Sequence, residues 1–291
     1  MQQRLLGLVV NDAALMPAFA ERHAELLALT APDAARGVWG LGFHGHGEML
    51  VKKNPVASPQ SVGAALQQVR ARHVIIAADI DPPSRQSLED AQPLRYRDWL
   101  FAASGTAPLR DVEFIRAVQQ SLPDTAFAHK RGATAEEALT NHFMETLHRA
   151  GARDGRKPTT AIVRQALGTA VRSLRELIGD TPIAVMLHDH KHLFALSLGR
   201  PLYTASLAGV APVSGERRPA RATDQLAHVR ASIIRDWDGV PEPPGVASGD
   251  PREVARVWRG ASPDDDKLWK LVESDAVEIG GDSVVVPFSL A

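Results

Sequence analysis

Short, continuous apolar runs alternate along this chain with longer stretches in which apolar residues return at helical spacing. Gln3 to Val10 is nearly all apolar beyond Arg4 and predicts a buried strand, with Asn11-Asp12 as the turn that follows. Ala13 to Thr30 predicts a helix broken by Pro32-Asp33, and Val38 to Val51 predicts a β-hairpin around Gly45-His46-Gly47. A helix is expected from Ser58 to about Arg72, with Ser58 as N-cap and Pro59 in the first helical position. His73 to Ile80 and Trp99 to Ala103 predict strands, and Leu109 to Leu122 and Thr134 to Ala150 predict helices. Glu136 and Glu137 fall in the first turn of the latter, where carboxylates favour the positive end of the helix dipole.

Thr159 to Ile178 predicts a long amphipathic helix. Pro182 to Leu187 and Leu193 to Leu198 predict strands joined by the turn His188-Asp189-His190-Lys191-His192, and Leu202 to Leu207 and Leu226 to Trp237 predict further strands. Ser214 to Ala222 and Gly239 to Asp250 read as loops, and Pro251 to Arg259 and Pro263 to Glu273 as short helices. Val277 to Phe288 predicts a closing hairpin across Gly280-Gly281-Asp282. There is no internal repeat and no long linker, so the order of elements suits one α+β unit of two stacked sheets covered by helices.

Composition narrows the classes of function. The chain has 291 residues, a net charge of −1 and 44% apolar residues, the profile of an ordinary globular protein without a basic field for nucleic acid or anionic lipid. Arg217, Arg218, Arg221, Lys267 and Lys270 are scattered and lack aromatic neighbours, so no nucleic-acid partner is expected. No apolar run reaches the length of a membrane span, and the start of the chain lacks a signal-peptide pattern; a cytoplasmic location is the expectation. The chain contains 0 cysteines, which excludes disulfides, thiolate metal sites and a cysteine nucleophile together.

Several short motifs, in order, resemble class II glutamine amidotransferases, whose N-terminal nucleophile (Ntn) hydrolase fold is a four-layer αββα sandwich. Arg4-Leu5-Leu6-Gly7 is similar to the family's opening Met-Cys-Arg-Leu-Leu-Gly, but Gln3 stands at the nucleophilic cysteine and Gln2 is an extra residue before it. Gly37-Val38-Trp39-Gly40-Leu41-Gly42-Phe43 resembles a family Gly-Asp-Gly-Trp-Gly-Ile-Gly strand without its acid; its glycines are expected to pass close to neighbouring chain, and Trp39 to lie in the core. Ala78-Asp79-Ile80-Asp81 falls where the family has Ala-His-Ile-Arg, and the arginine that would grip the substrate α-carboxylate is replaced by Asp81, a reversal of charge. Glu89-Asp90-Ala91-Gln92-Pro93-Leu94 resembles Glu-Asn-Thr-His-Pro-Phe, with Gln92 at the histidine.

Trp99-Leu100-Phe101-Ala102-Ala103-Ser104-Gly105 resembles Trp-Thr-Phe-Ala-His-Asn-Gly, whose Asn-Gly pair stabilises the oxyanion; here Ser104 replaces the asparagine and Gly105 remains. Gly132-Ala133-Thr134-Ala135-Glu136-Glu137 resembles Gly-Glu-Thr-Asp-Ser-Glu, and Ala135 replaces the aspartate that pairs with the substrate ammonium. The resemblance spans Gln3 to about Leu207 and returns at Val277 to Pro287. It implies a single glutamine amidotransferase type 2-like domain over residues 1–291, with a divergent elaboration at about 208–275.

Residues that shape such a fold survive, whereas those that bind and cleave glutamine, at Gln3, Asp81, Ser104 and Ala135, have changed. The expectation is a pseudoenzyme with no catalytic residues, whose degenerate pocket comprises Gln3, Asp79, Asp81, Ser104, Gly105 and Ala135. It would act as a binding, regulatory or scaffold module for an unknown protein partner or small ligand, or as a subunit of a homo-oligomer, with 208–275 as the partner surface. The alternative is an amidohydrolase or metal-dependent enzyme using Asp79 and Asp81, which share a strand face with Asp90 nearby in sequence. No cofactor is implied. His44 and His46 in one hairpin, and His188, His190 and His192 in another, have the chemistry of metal ligands but match no metalloenzyme spacing; solvated turn residues are the expected reading.

Overall fold

Two antiparallel sheets carry the apolar runs. The computed structural model describes residues 2–22, 37–56, 61–80, 87–123, 134–152, 158–208, 230–236 and 270–290. One sheet contains β1 (Gln2–Val10), β2 (Gly37–Gly45), β3 (Glu48–Pro55), β4 (His73–Ile80), β9 (Tyr203–Ala208), β10 (Arg230–Arg235) and β11 (Lys270–Leu271), in the order β11-β9-β10-β1-β4-β2-β3. The other contains β5 (Leu94–Tyr96), β6 (Trp99–Ser104), β7 (Ile183–His188), β8 (Leu193–Leu198), β12 (Ala276–Ile279) and β13 (Val285–Phe288), in the order β13-β12-β8-β7-β6-β5. The helices are α1 (Met16–Arg22), α2 (Val62–Leu66), α3 (Val112–Gln120), α4 (Ala135–Arg149) and α5 (Thr160–Ile178).

Strand alternation divides the apolar side chains among three packed layers. Leu6, Leu8, Val74 and Ile76 pack outward against Met16 and Phe19 of α1 and Leu66 of α2. Leu5, Val9, Ile75 and Ala77 meet Leu100, Ala102, Met186 and Ala195 between the sheets. Phe101, Val185, Leu187 and Phe194 pack outward against Leu139 and Phe143 of α4 and Leu167 and Leu174 of α5. The result is the αββα sandwich that the resemblance implies. β4 and β7 are buried along their whole lengths, which explains their continuous apolar runs.

Register then places the exceptions. On the inter-sheet face of the first sheet, Gln3 pairs with Asp79 at one end of β1 and Val9 with His73 at the other. In the second sheet Ser104 pairs with Ala184 and Leu100 with His188, again at opposite ends. The apolar layer between the sheets therefore carries polar groups at both of its ends. The β2 glycines make the close approach possible: a Cβ at Gly40 would lie 2.3 Å from the Gln92 carbonyl oxygen.

Four expectations need correction or addition. The helix expected from Ser58 to Arg72 is only Val62–Leu66, and Ser61 caps it by accepting from Ala64 N–H; residues 57–60 lie outside the described residues. Ala13–Leu15 is a 3-10 turn capped by Asp12 before α1 begins. Residues 270–273 do not end a helix: Lys270–Leu271 pairs with Thr204 and Tyr203 at the sheet edge. β5 was not expected; it joins β6 through Leu94 opposite Phe101. Ser214 to Ala222, Gly239 to Asp250 and Pro251 to Arg259 lie outside the described residues, as does most of Pro263 to Glu273. Within the stretch 208–275, β10 lies directly beside β1.

Candidate functional site

The side chain of Gln3 is folded into the protein's own polar cluster. Odd-numbered positions of β1 face the second sheet, so Gln3 points to where β6 ends and the chain turns at Gly105-Thr106. Its Oε1 accepts from the Thr106 backbone N–H at 2.8 Å, and its Nε2 donates to Thr106 Oγ1 at 2.8 Å and to Glu136 Oε1 at 3.2 Å. Thr106 Oγ1 donates onward to Glu136 Oε1 at 2.5 Å. Arg110 closes the cluster, with one terminal nitrogen 2.9 Å from Glu136 Oε1 and 3.4 Å from Asp79 Oδ1. Gln3, Asp79, Thr106 and Glu136 are all buried. Burial opposes the charge on Glu136, but the Arg110 guanidinium and the Thr106 hydroxyl outweigh it and hold the carboxyl below its ordinary range.

Ser104 belongs to a neighbouring group. Its hydroxyl donates to Asp236 Oδ2, which also accepts from Arg200 Nε at 2.7 Å, while Asp236 Oδ1 accepts from the Leu5 N–H at 2.7 Å. Arg200 reaches the Gln3 carbonyl as well, at 3.3 Å. The hydroxyl at the expected oxyanion position is thus engaged with a buried carboxylate. Gly105 has a structural requirement of its own: its φ is +78°, and a Cβ there would lie 2.2 Å from the Pro182 carbonyl oxygen. Its retention follows from backbone geometry, whatever the chemistry.

Ala135 is buried in the first turn of α4, and the next residue, Glu136, brings the carboxylate into the cluster. Gln92 acts as a surrogate strand: its Nε2 donates to the Ala103 carbonyl at 2.8 Å and its Oε1 accepts from the Ala103 N–H at 2.6 Å. Asp81 lies outside the described residues, and Asp90 bonds locally to Ser87. Of the expected pocket residues, Gln3, Asp79, Ser104 and Gly105 meet around this corner, with Ala135 at its edge. Sequence reasoning missed Thr106, Arg110, Asp236 and Arg200, and assigned Glu136 to the helix dipole alone. Adjacency to Gly105 was the available signal for Thr106; Asp236 gave none, because it lies in the stretch assigned to elaboration.

The histidine-bearing turns lie toward the opposite end. The His44 and His190 rings are 5.4 Å apart, and His46 is exposed at its hairpin tip. Asp189 Oδ1 accepts from Lys191 N–H and His192 N–H, so this acid builds the turn. His188 is fully buried on β7. Among the described residues, no three His, Asp or Glu side chains form a metal-holding group.

Fold and site together describe an αββα sandwich with a buried polar cluster at one inter-sheet corner. No protein-family model matches the chain, and no curated protein matches it by sequence. Solved structures are similar in shape. A glutamine aminotransferase class-II domain protein from Silicibacter pomeroyi aligns with TM-score 0.49 and 13% identity over 99% of both chains. A predicted glutamine amidotransferase from Pseudomonas aeruginosa aligns with TM-score 0.47 and 14% identity over 99% of this chain and 96% of that one. The glutamine phosphoribosylpyrophosphate amidotransferase from B. subtilis, complexed with ADP and GMP, aligns with TM-score 0.47 and 10% identity over 99% of this chain but 49% of that one. No helix among the described residues is long and apolar enough to cross a membrane.

Proposed function

We propose that this chain is a catalytically inactive glutamine amidotransferase-like protein that works as a binding, regulatory or scaffold module. The observation that carries this reading is the Gln3 carboxamide, held at both ends by Thr106 at the position where the resemblance expects the nucleophile. A carboxamide is not a nucleophile for another carboxamide, and the 0 cysteines of the chain leave no thiol to take over. Ser104 supports the same reading, since its hydroxyl proton is given to Asp236. Asp79, the described acid of the alternative hydrolase reading, is ion-paired with Arg110. The stretch 208–275, apart from β10 and Asp236, which are built into the sheet and the buried site, is the proposed partner surface, because insertions on a rigid scaffold often carry binding.

Native mass spectrometry of the protein taken gently from its own cells tests the binding role. A stoichiometric co-purifying protein or a discrete added mass is the expected result. A bare monomer or symmetric homo-oligomer would contradict it.

A further inference from the structure

We propose that the Thr106 hydroxyl reacts with the Gln3 carboxamide to form an intramolecular ester that joins the two sheets, with release of one ammonia. Gln3 lies near the start of β1 in one sheet, and Thr106 follows β6 in the other. Thr106 Oγ1 is 2.8 Å from Gln3 Nε2 and 3.0 Å from Gln3 Oε1. An atom that near both ends of an amide is also about 3 Å from the carbon joining them, the separation of a near-attack pair. The hydroxyl lies against the open edge of the amide, so a turn about the Gln3 Cγ–Cδ bond, a broad torsion, presents the face of that carbon to it.

Each requirement of acyl transfer has a group in place. Gln3 Cδ is the electrophile, and the Thr106 backbone N–H, 2.8 Å from Gln3 Oε1, is a donor for the developing oxyanion. Glu136 Oε1 touches both reacting partners, accepting from Thr106 Oγ1 at 2.5 Å and from Gln3 Nε2 at 3.2 Å. It can take the proton from the attacking oxygen and hand it to the leaving nitrogen. Arg110, 2.9 Å from the same oxygen, keeps the carboxyl ionised and ready to accept. The Thr106 Oγ1–Gln3 Cδ bond forms, the Cδ–Nε2 bond breaks, the hydroxyl proton passes through Glu136 to Nε2, and ammonia leaves. No co-reactant is consumed.

The surroundings favour the product. Glu136 Oε2 is buried without a hydrogen-bond partner among the described residues, an acceptor for an N–H of the departing ammonia. Gln3, Thr106 and Glu136 are 6%, 0% and 1% exposed, which keeps away the water that would hydrolyse an ester. An amide is a poor acyl donor, so the step is slow, and the contacts above are those of the chain before it. In a chain with 0 cysteines, the ester closes a loop between residues 103 positions apart and, like a disulfide, raises the melting temperature. The step goes beyond the inactive-module reading and does not depend on it, because the acyl donor is the chain itself.

The test is intact-mass spectrometry of the denatured full chain, freshly folded and after incubation at neutral pH, with tandem spectra of its digest. The expected result is conversion to a species lighter by one ammonia, in which the peptide carrying Gln3 is joined to the peptide carrying Thr106. Hydroxylamine should reopen the link and leave a hydroxamate at Gln3. Thr106→Ser should still form it, Thr106→Val should not, and Glu136→Gln should slow it by roughly 100-fold or more, the usual share of acid–base catalysis. An unchanged mass in protein that unfolds cooperatively would overturn the proposal, as would a loss of ammonia that leaves the two peptides separate or persists in Thr106→Val. The wild-type spectra decide the matter even if a variant does not fold. This ammonia needs no added glutamine and stops at one equivalent, so a glutamine-free control separates it from turnover of glutamine.

Discussion

Removing the Gln3 side chain strands the buried Thr106 N–H and takes one donor away from Glu136 Oε1. Gln3→Ala should destabilise the protein by about 1–3 kcal/mol in urea unfolding, the range for leaving a buried partner unsatisfied. Gln3→Glu should be worse at neutral pH, because it sets a second carboxylate against Glu136. The Glu136 carboxyl is held below its ordinary range in the folded protein, so its contribution to stability is fully present above the unfolded value near 4.5 and is lost as pH falls through the folded value. Urea midpoints measured from pH 7 downward should therefore separate wild type from Glu136→Gln, and the two curves should converge in acid. Parallel curves across that range would show that Glu136 is not the ionised acceptor described above. These contacts join residues 103 and 133 positions apart, so local pattern in the sequence did not contain them. What the sequence did contain was the replacement of particular residue types at Gln3 and Ser104.

At the scale of elements, the cluster depends on where α4 starts. Thr134 caps that helix by accepting from the Glu137 N–H at 3.1 Å, which fixes the first turn and with it Glu136. Thr134→Ala should cost about 1 kcal/mol, as for other N-cap losses, and is checked by thermal or urea unfolding. Gly40→Ala should be more damaging than its size suggests, because the obstacle is the backbone oxygen of Gln92 and no side chain can swing away. Strands buried on both faces, such as β4, were legible as continuous apolar runs. The start of α2 was not, because Ser58 and Ser61 offer the same capping chemistry three residues apart and Pro59 favoured the earlier one. β5 spans three residues and β11 two, too short for a period to declare itself; pairing with a neighbouring strand makes them strands.

Across the whole molecule, two packed sheets leave an apolar layer with polar groups at both ends. At the β1 start, Gln3, Thr106, Arg110 and Asp79 join in a cluster around Glu136 Oε1, whereas Glu136 Oε2 is buried without a partner among the described residues; at the other end, His73 Nε2 and His188 Nε2 are buried without one as well. The layer architecture was foreseeable from element order and motif resemblance, whereas the place of β10 beside β1 was not, since its surroundings in sequence match the family poorly.

The most direct measurement is ammonia release from L-glutamine by the purified full chain, compared with Gln3→Ala and Ser104→Ala. The account predicts release indistinguishable from the protein-free background for all three. Release by the wild-type protein that Gln3→Ala or Ser104→Ala abolishes would contradict it.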